Sequence, residues 1–468
     1  MRKQTEGESA EKLIRILAFT MVLSSMSATM FNIVLPEIKS EFHLSVAQVS
    51  WVATIYMLIY AIGSVIYGKL ADLFRFKNLI TFGLAVFCLG SLAGLAAQAF
   101  WMVLAGRILQ AAGAAVIPAA AMIIPVRHFP PERRGYALGI TATGLAVGGA
   151  IGPVVSALIV SLVDWRWLFC IPMLMLVTLP FYRRYLSEQA PKYAKVDWLG
   201  AGLLGGAVAL LLLGVTYGRM TFYLGSLLLF LLFVIRNRTA AHPFADPQLF
   251  RNRSYSLGLL MSILAMGLGY ALPFLTPQLL ADVNGLASGW IGFAMVPGAA
   301  VSALLGRTGG KLADAKGNPF VFCTASLLLL VCFTLISIFA GAAVPIIAVL
   351  LIFGNVGQMF MQIALTGTIS RTLTKEQTGV GMGLLSMSNF LSGAVAASVY
   401  SKAVDQGGSV HWNPLNPFVN SGVYSNIYLI LAALVVMMVL FYYFYFLRNE
   451  RSRKKIKNLN FSSFRANK

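Results

Sequence analysis

The chain has 468 residues, of which 58% are hydrophobic and only 11% charged, with a mean hydropathy of +0.78. A soluble domain carries roughly a quarter charged residues, so this composition excludes a water-soluble enzyme, a disordered chain and a fibre, and makes lipid the solvent. The net charge of +20 points to nucleic acid only if the positive residues share a soluble surface, which makes their position along the chain the next question.

Fourteen apolar segments are long enough to cross a bilayer as helix. They are 16–36, 50–70, 79–98, 100–126, 136–162, 167–182, 198–217, 222–235, 255–276, 289–308, 319–340, 344–369, 379–401 and 424–447. The expected fold is therefore an all-α membrane protein. The eighth segment is the shortest, and only Gly218 to Thr221 separates it from the seventh. Residues 16–36 are too long, and too unlike a cleavage region, for a signal peptide.

Lys and Arg in short loops are retained on the cytoplasmic side. Alternating loops place thirty-one of them on one side, including Lys69, Arg75, Lys77, Arg127, Lys192, Lys195, Arg236, Lys316, Lys375 and the eight of the C-terminal tail. Lys39, Arg166, Arg219 and Lys402 fall on the other side, and Arg107 alone lies well inside a span, since Lys69 and Arg307 stand at span edges. This predicts a multi-pass membrane protein with both termini cytoplasmic. The excess charge is then a topology signal, and no nucleic-acid partner is expected. The tail from Arg448 to Lys468 either rests against anionic lipid head groups or is solvated.

Gly68-Lys-Leu-Ala-Asp72 after the second span recurs as Gly310-Lys-Leu-Ala-Asp314 after the tenth. Spans 1–6 then correspond to spans 9–14, with 7 and 8 inserted. The expected organisation is an N-tail 1–15, a six-helix bundle 16–195, an inserted pair with its linker 196–254, a second six-helix bundle 255–447 and a basic tail 448–468. Two bundles related by such a repeat are the architecture of transporters that rock about a midplane site.

Arg107 lies about seven residues into the fourth span, where an isolated guanidinium marks a functional site or snorkels to the interface. Gln110 is one turn further on the same face. In the fifth span Gly144, Gly148 and Gly152 form a bare stripe for close helix approach, and the adjacent Pro153 removes a backbone hydrogen bond and favours a bend. Asn355, Gln358, Gln362 and Thr366 point one way along the twelfth span, lining a cavity or joining helices. Asn32 and Asn389 are further candidates for the same cavity. Asp72 and Asp314 are placed to cap a neighbouring helix or to pair with Arg or Lys, forming a latch.

At these motifs the sequence resembles the major facilitator superfamily, specifically its fourteen-helix drug:proton antiporter branch, over nearly the whole chain. The loop signature appears as Gly68, Leu70, Asp72, Arg75 and Lys77, with Arg75 in place of a family glycine, and again as Gly310 to Asp314 with Lys316 and Gly317. Arg107-Ile-Leu-Gln110-Ala-Ala-Gly113 matches a fourth-helix segment except at Ala111. The Gly144, Gly148, Gly152 and Pro153 series matches the exporter signature except at Ser156-Ala157. Trp165-Arg166-Trp167 is typical of the branch, and Asn32-Ile-Val-Leu-Pro36, Tyr67-Gly-Lys-Leu70, Phe390-Leu-Ser392 and Val423-Tyr-Ser-Asn426 look most like Gram-positive tetracycline exporters.

The resemblance implies secondary efflux of a small drug-like compound by proton antiport, with Gly68, Asp72, Lys77, Gly310, Asp314 and Lys316 in the gate. It implies Asn32, Arg107, Gln110, Asn355, Gln358, Gln362 and Asn389 near the substrate. The membrane glutamates of the tetracycline exporters are matched here by Ala28, Gly149 and Gly393, which leaves Asp197, matching a family aspartate, for proton coupling. The partners implied are a small molecule, lipid and protons. Alternatives are a facilitator or exporter of a neutral or anionic metabolite, and a membrane sensor. No phosphate-cradling loop, HExxH or GxSxG is present, and Cys88, Cys170, Cys323 and Cys332 lie in apolar runs as packing thiols. Neither an enzyme nor a metal or other cofactor is expected.

Overall fold

A computed structural model describes residues 2–44, 46–49, 51–186, 197–241, 243–245, 247–286, 288–374, 377–407 and 412–444. The end of the first bundle with Lys192 and Lys195, the residue Lys375 and the basic tail 448–468 lie outside the described residues. The described chain is helical, and fourteen helices are long and apolar enough to span a membrane. They are α1 (Glu8–Leu35), α2 (Trp51–Leu73), α3 (Phe76–Leu95), α4 (Phe100–His128), α5 (Pro131–Val160), α6 (Trp165–Tyr185) and α7 (Trp198–Tyr217). The series continues with α8 (Met220–Thr239), α9 (Arg253–Asp282), α10 (Trp290–Lys316), α11 (Asn318–Phe339), α12 (Val344–Ser370), α13 (Thr378–Val404) and α14 (Gly422–Tyr442). The short eighth segment of the hydropathy pattern is a full twenty-residue helix.

Two spans are broken where prolines remove ladder donors. Pro118 has no N–H for the Ala114 carbonyl, and α4 breaks at Ala115; Pro273 has none for Gly269, and α9 breaks at Tyr270. A turn at Met30 also divides α1, although the first proline after it, Pro36, would remove a bond only to Asn32. The first two thirds of α6 differ from the regular helix expected there. They run as 3₁₀ turns, Trp165–Phe169 and Ile171–Thr178, before an α-helical end, because Pro172 and Pro180 each remove a donor. By contrast, α5 stays helical through Pro153.

Apolar side chains of α1 to α6 share one core, with Leu84, Phe87, Val116, Ile117 and Phe169 at its centre. A second core joins α9, α10, α11, α12 and α14 around Leu272, Leu329, Phe333, Leu351 and Tyr428. A third packs Leu58 and Val65 of α2 with Leu204 and Val208 of α7 and Met382 and Leu385 of α13. The inserted pair is thus laid along the seam where α2 and α13 meet. Ser226 of α8 donates to the Ala207 carbonyl of α7 at 2.7 Å, and the lipid side of α8 carries exposed Leu224, Leu227, Leu228 and Leu231.

The glycine stripe of α5 faces α1. A methyl group on Gly144, Gly148 or Gly152 would run into the Ala18 carbonyl, the Val22 carbonyl or the Thr29 hydroxyl respectively, so only a bare backbone permits this approach.

Candidate functional site

Arg107 is completely buried between α1, α2 and α4. Its Nε donates to the Val52 carbonyl at 3.2 Å, and Nη1 donates to the Ser27 carbonyl at 3.3 Å and to Gln110 Oε1 at 3.2 Å. The guanidinium lies between two aromatic faces, 3.9 Å from the Tyr56 ring centre and 4.2 Å from that of Phe31. Such a cage lowers the cost of burying a cation, yet all three hydrogen-bond acceptors are neutral. Arg107 Nη2, the Tyr56 hydroxyl and the Ser27 hydroxyl are buried without a partner among the described residues. Gln110 is fixed on its far side by donating to Ser91 of α3 at 2.8 Å.

The polar stripe of α12 addresses the second half. Asn355 donates to its own Leu351 carbonyl at 2.9 Å and lies against Gly298 of α10. Gln358 donates to the Met266 sulfur at 3.4 Å, and its amide fills the space that the missing side chain of Gly269 leaves on α9. Gln358 Oε1 is buried without a partner among the described residues. Asn389 of α13 accepts from Ser262 at 2.9 Å, one turn of α9 before Met266. Gln362 is half-buried and Asn32 is exposed.

The structure thus forms two groups from the expected substrate residues, Arg107 with Gln110 and Gln358 with Asn389 across α9. Aromatic rings join them at the seam. Tyr56 stacks on Tyr60 at 5.6 Å, and Tyr60 meets Phe390, beside Asn389, edge to face at 5.0 Å.

At the end of the bundle bearing Lys69, Arg75 and Arg127, each repeated aspartate reaches across to the other half. Asp72 accepts from the Gly379 and Val380 amides at 3.0 Å each, at the start of α13, and from Arg127 Nη2 at 2.7 Å. Asp314 accepts from the Gly135 and Tyr136 amides at 2.8 and 2.7 Å, at the start of α5. Each carboxylate therefore occupies free N–H groups at a helix N-terminus, where the dipole also favours negative charge.

Glycines bring the backbones close enough for this. Gly68 abuts Gly379 and Gly383, and Gly310 and Gly306 abut Gly135 and Gly139. The contact continues to mid-helix, where Thr143 donates to the Ala303 carbonyl at 3.1 Å. Lys316 stands over the Phe320 ring at 4.5 Å, and Lys77 is half-buried in the first turn of α3. Arg127, Tyr56 and the Gly379, Gly383, Gly135, Gly139 and Gly306 partners were not singled out from sequence, whereas Ser27 was a candidate for the same cavity as Asn32 and Asn389. The glycine pairs do carry a signal, since each is spaced four residues apart.

The opposite end ties each half to itself. Glu41 accepts from Arg166 Nη2 at 2.5 Å and Trp165 Nε1 at 2.7 Å. The Arg166 hydrogen bond holds its carboxyl below the ordinary range, against a smaller opposing effect of burial. In the second half Tyr424 of α14 donates to Asp282, at the end of α9. Asp197 is buried at the start of α7, where it caps the Gly200 amide at 3.1 Å and accepts from Arg236 of α8 at 3.3 Å. It belongs to the inserted pair and joins its two helices.

The family description "Major Facilitator Superfamily" matches residues 17–397. The riboflavin transporter RibZ of Clostridioides difficile is 28% identical over 67% of this chain and 71% of its own length. Multidrug resistance protein 3 of Bacillus subtilis is 27% identical over 65% and 63%. Among solved structures, the human organic anion transporter MFSD10 superposes with a TM-score of 0.65 at 15% identity, covering 91% of this chain and 99% of that one. FucP in its outward conformation gives 0.57 at 16% identity, covering 92% and 99%. These structural likenesses speak for the fold alone.

Proposed function

The chain belongs to the major facilitator superfamily, and on that premise we propose that it is a secondary active efflux transporter of small amphipathic compounds, coupled to proton entry. The observation that carries the reading is the pair of aspartate caps joining the two halves at the end that bears the basic loops. We take that end as cytoplasmic, with both termini there and the protein in a bacterial cell membrane. The state described is then closed to the cytoplasm. Release of Asp72 and Asp314 from α13 and α5 lets the bundles 16–195 and 255–447 rock while the pair 196–254 stays along the seam. The gate in this reading consists of Gly68, Asp72, Lys77, Gly310, Asp314 and Lys316, and the exporter glycines hold α5 against α1.

Cargo sits between the two polar groups, Arg107 with Gln110 and Asn355, Gln358 and Gln362 with Asn389, with Asn32 toward the outer opening. A relative named for riboflavin transport and another named for multidrug resistance support a small organic cargo. The likeness of the motifs to the fourteen-helix drug:proton antiporters, and within them to the tetracycline exporters, belongs to this proposal, as does Asp197 as the proton-coupling carboxylate. Its buried Oδ2 has no partner among the described residues, and its Oδ1 accepts from Arg236 of α8. A second reading, export or facilitated passage of a neutral or anionic metabolite without proton coupling, is favoured by the uncompensated charge of Arg107.

A growth-inhibition panel in cells with and without the gene, followed by flux assays on the hits at two imposed pH gradients, tests both. Gradient-driven efflux that is lost in Asp197→Asn supports the first. Efflux indifferent to the gradient supports the second, and the absence of any gene-dependent flux defeats both.

A further inference from the structure

Three buried polar atoms without a partner among the described residues belong to residues that touch one another, Arg107, Tyr56 and Ser27. The Ser27 and Tyr56 hydroxyls are neighbours at a geometry that falls short of a hydrogen bond. Arg107 touches both residues, through the Ser27 carbonyl and the Tyr56 ring. A buried hydroxyl or guanidinium N–H left unpaired is costly, and three together from three helices are not accounted for by packing. All three can donate. The aromatic faces of Phe31 and Tyr56 and the bonds to Val52 and Gln110 hold the guanidinium plane in place, so that Nη2 is preorganised.

We propose that this spot binds one oxyanion group, a carboxylate first of all, and that the exported compound carries it; the second clause rests on the transport reading above. A carboxylate is acceptor only and offers lone pairs for Nη2, the Tyr56 hydroxyl and the Ser27 hydroxyl together. It also supplies the negative charge that the three neutral acceptors of Arg107 do not. A cation would meet an uncompensated guanidinium, and a neutral amide would present its own N–H groups to donors. The way in is the seam. Tyr60 covers Tyr56 and is itself covered by Phe390 of the other half, so the spot fills when those two rings part, and a filled site and a parted seam favour one another.

The test uses the purified full-length protein in lipid nanodiscs and four matched probes: acetate with acetamide, benzoate with benzamide, salicylate with salicylamide, and octanoate with octanamide. Affinity is read by calorimetry and the unfolding temperature by heating, with chloride exchanged for sulfate as a separate arm. At least one acid is expected to bind at least about tenfold more tightly than its amide. Tyr56→Phe and Ser27→Ala are each expected to weaken that acid about tenfold, the worth of one hydrogen bond to a charged group, with the amide unchanged. Without ligand both variants should unfold no lower than wild type, because the hydroxyls they lack have no partner to lose. A merely structural role would lower it.

Equal affinity for acid and amide in all four pairs overturns the proposal, as does discrimination that survives in the Ser27→Ala, Tyr56→Phe double variant. An effect that chloride reproduces in full means a halide site and overturns it too. Acid binding in a protein that moves no compound would leave the site standing and defeat the transport reading instead.

Discussion

The two aspartate latches are repeats of one another in sequence and differ in what they hold. Asp314 relies on two backbone amides of α5, whereas Asp72 binds two amides of α13 and also the guanidinium of Arg127, with both side chains only 10% exposed. Arg127 is itself pinned by the Ala71 carbonyl at 2.9 Å. A shared motif thus gives a shared cap, and one added cation from α4 makes one of the two unequal. Neutralising Asp72 breaks the ion pair of a largely buried Arg127, whereas neutralising Asp314 removes a charged cap and a weaker, longer-range attraction to Arg371 and Arg133.

The largest effect is therefore expected from Asp72→Asn. Breaking one side of a buried ion pair costs about 3 kcal/mol, so efflux should fall about a hundredfold with membrane abundance preserved. Asp314→Asn should lose about fivefold, in line with about 1 kcal/mol for a cap. Equal losses in initial-rate flux assays would mean that Arg127 contributes nothing to the difference. Gly139→Ala should act next, because its methyl would meet the Gly306 carbonyl and disfavour the closed end. Cysteine-labelling rates of α5 and α10 at that end should rise several-fold, and unchanged rates would remove the glycines from the latch.

The smallest effect belongs to the outer ties. The Glu41 carboxyl is held below its ordinary value of 4.5 chiefly by Arg166. A lowered folded value means that the tie is at full strength above about pH 4.5 and fades as pH falls through the lowered value. Glu41 is 39% exposed in its side chain, and solvent screening holds the contribution to about 1 kcal/mol or less. The unfolding temperature of Glu41→Gln should approach that of wild type as pH is taken below 4. A constant gap between the two down to pH 3 would contradict the assignment.

The membrane spans were legible because lipid demands some twenty apolar residues at each crossing, and the repeated Gly-Lys-Leu-Ala-Asp loops gave the correspondence of the halves. Breaks at Ala115 and Tyr270 could have been read three residues ahead, at Pro118 and Pro273. The surroundings of Arg107 could not, because the Val52 and Ser27 carbonyls come from two other helices whose rotation no periodicity fixes. Arg127 was visible only as a loop charge. Its pairing with Asp72 depends on how α4 ends beside α2, a matter of tertiary packing.

The claim that the aspartate caps keep one end closed is tested most directly by spin labels on the exposed Phe74 and Thr374, one on each half beside the Asp72 latch. Double electron–electron resonance on the full-length protein in lipid should give one short distance for the wild type. An added longer population is expected in the Asp72→Asn, Asp314→Asn double variant. An identical single distance in both would contradict the account.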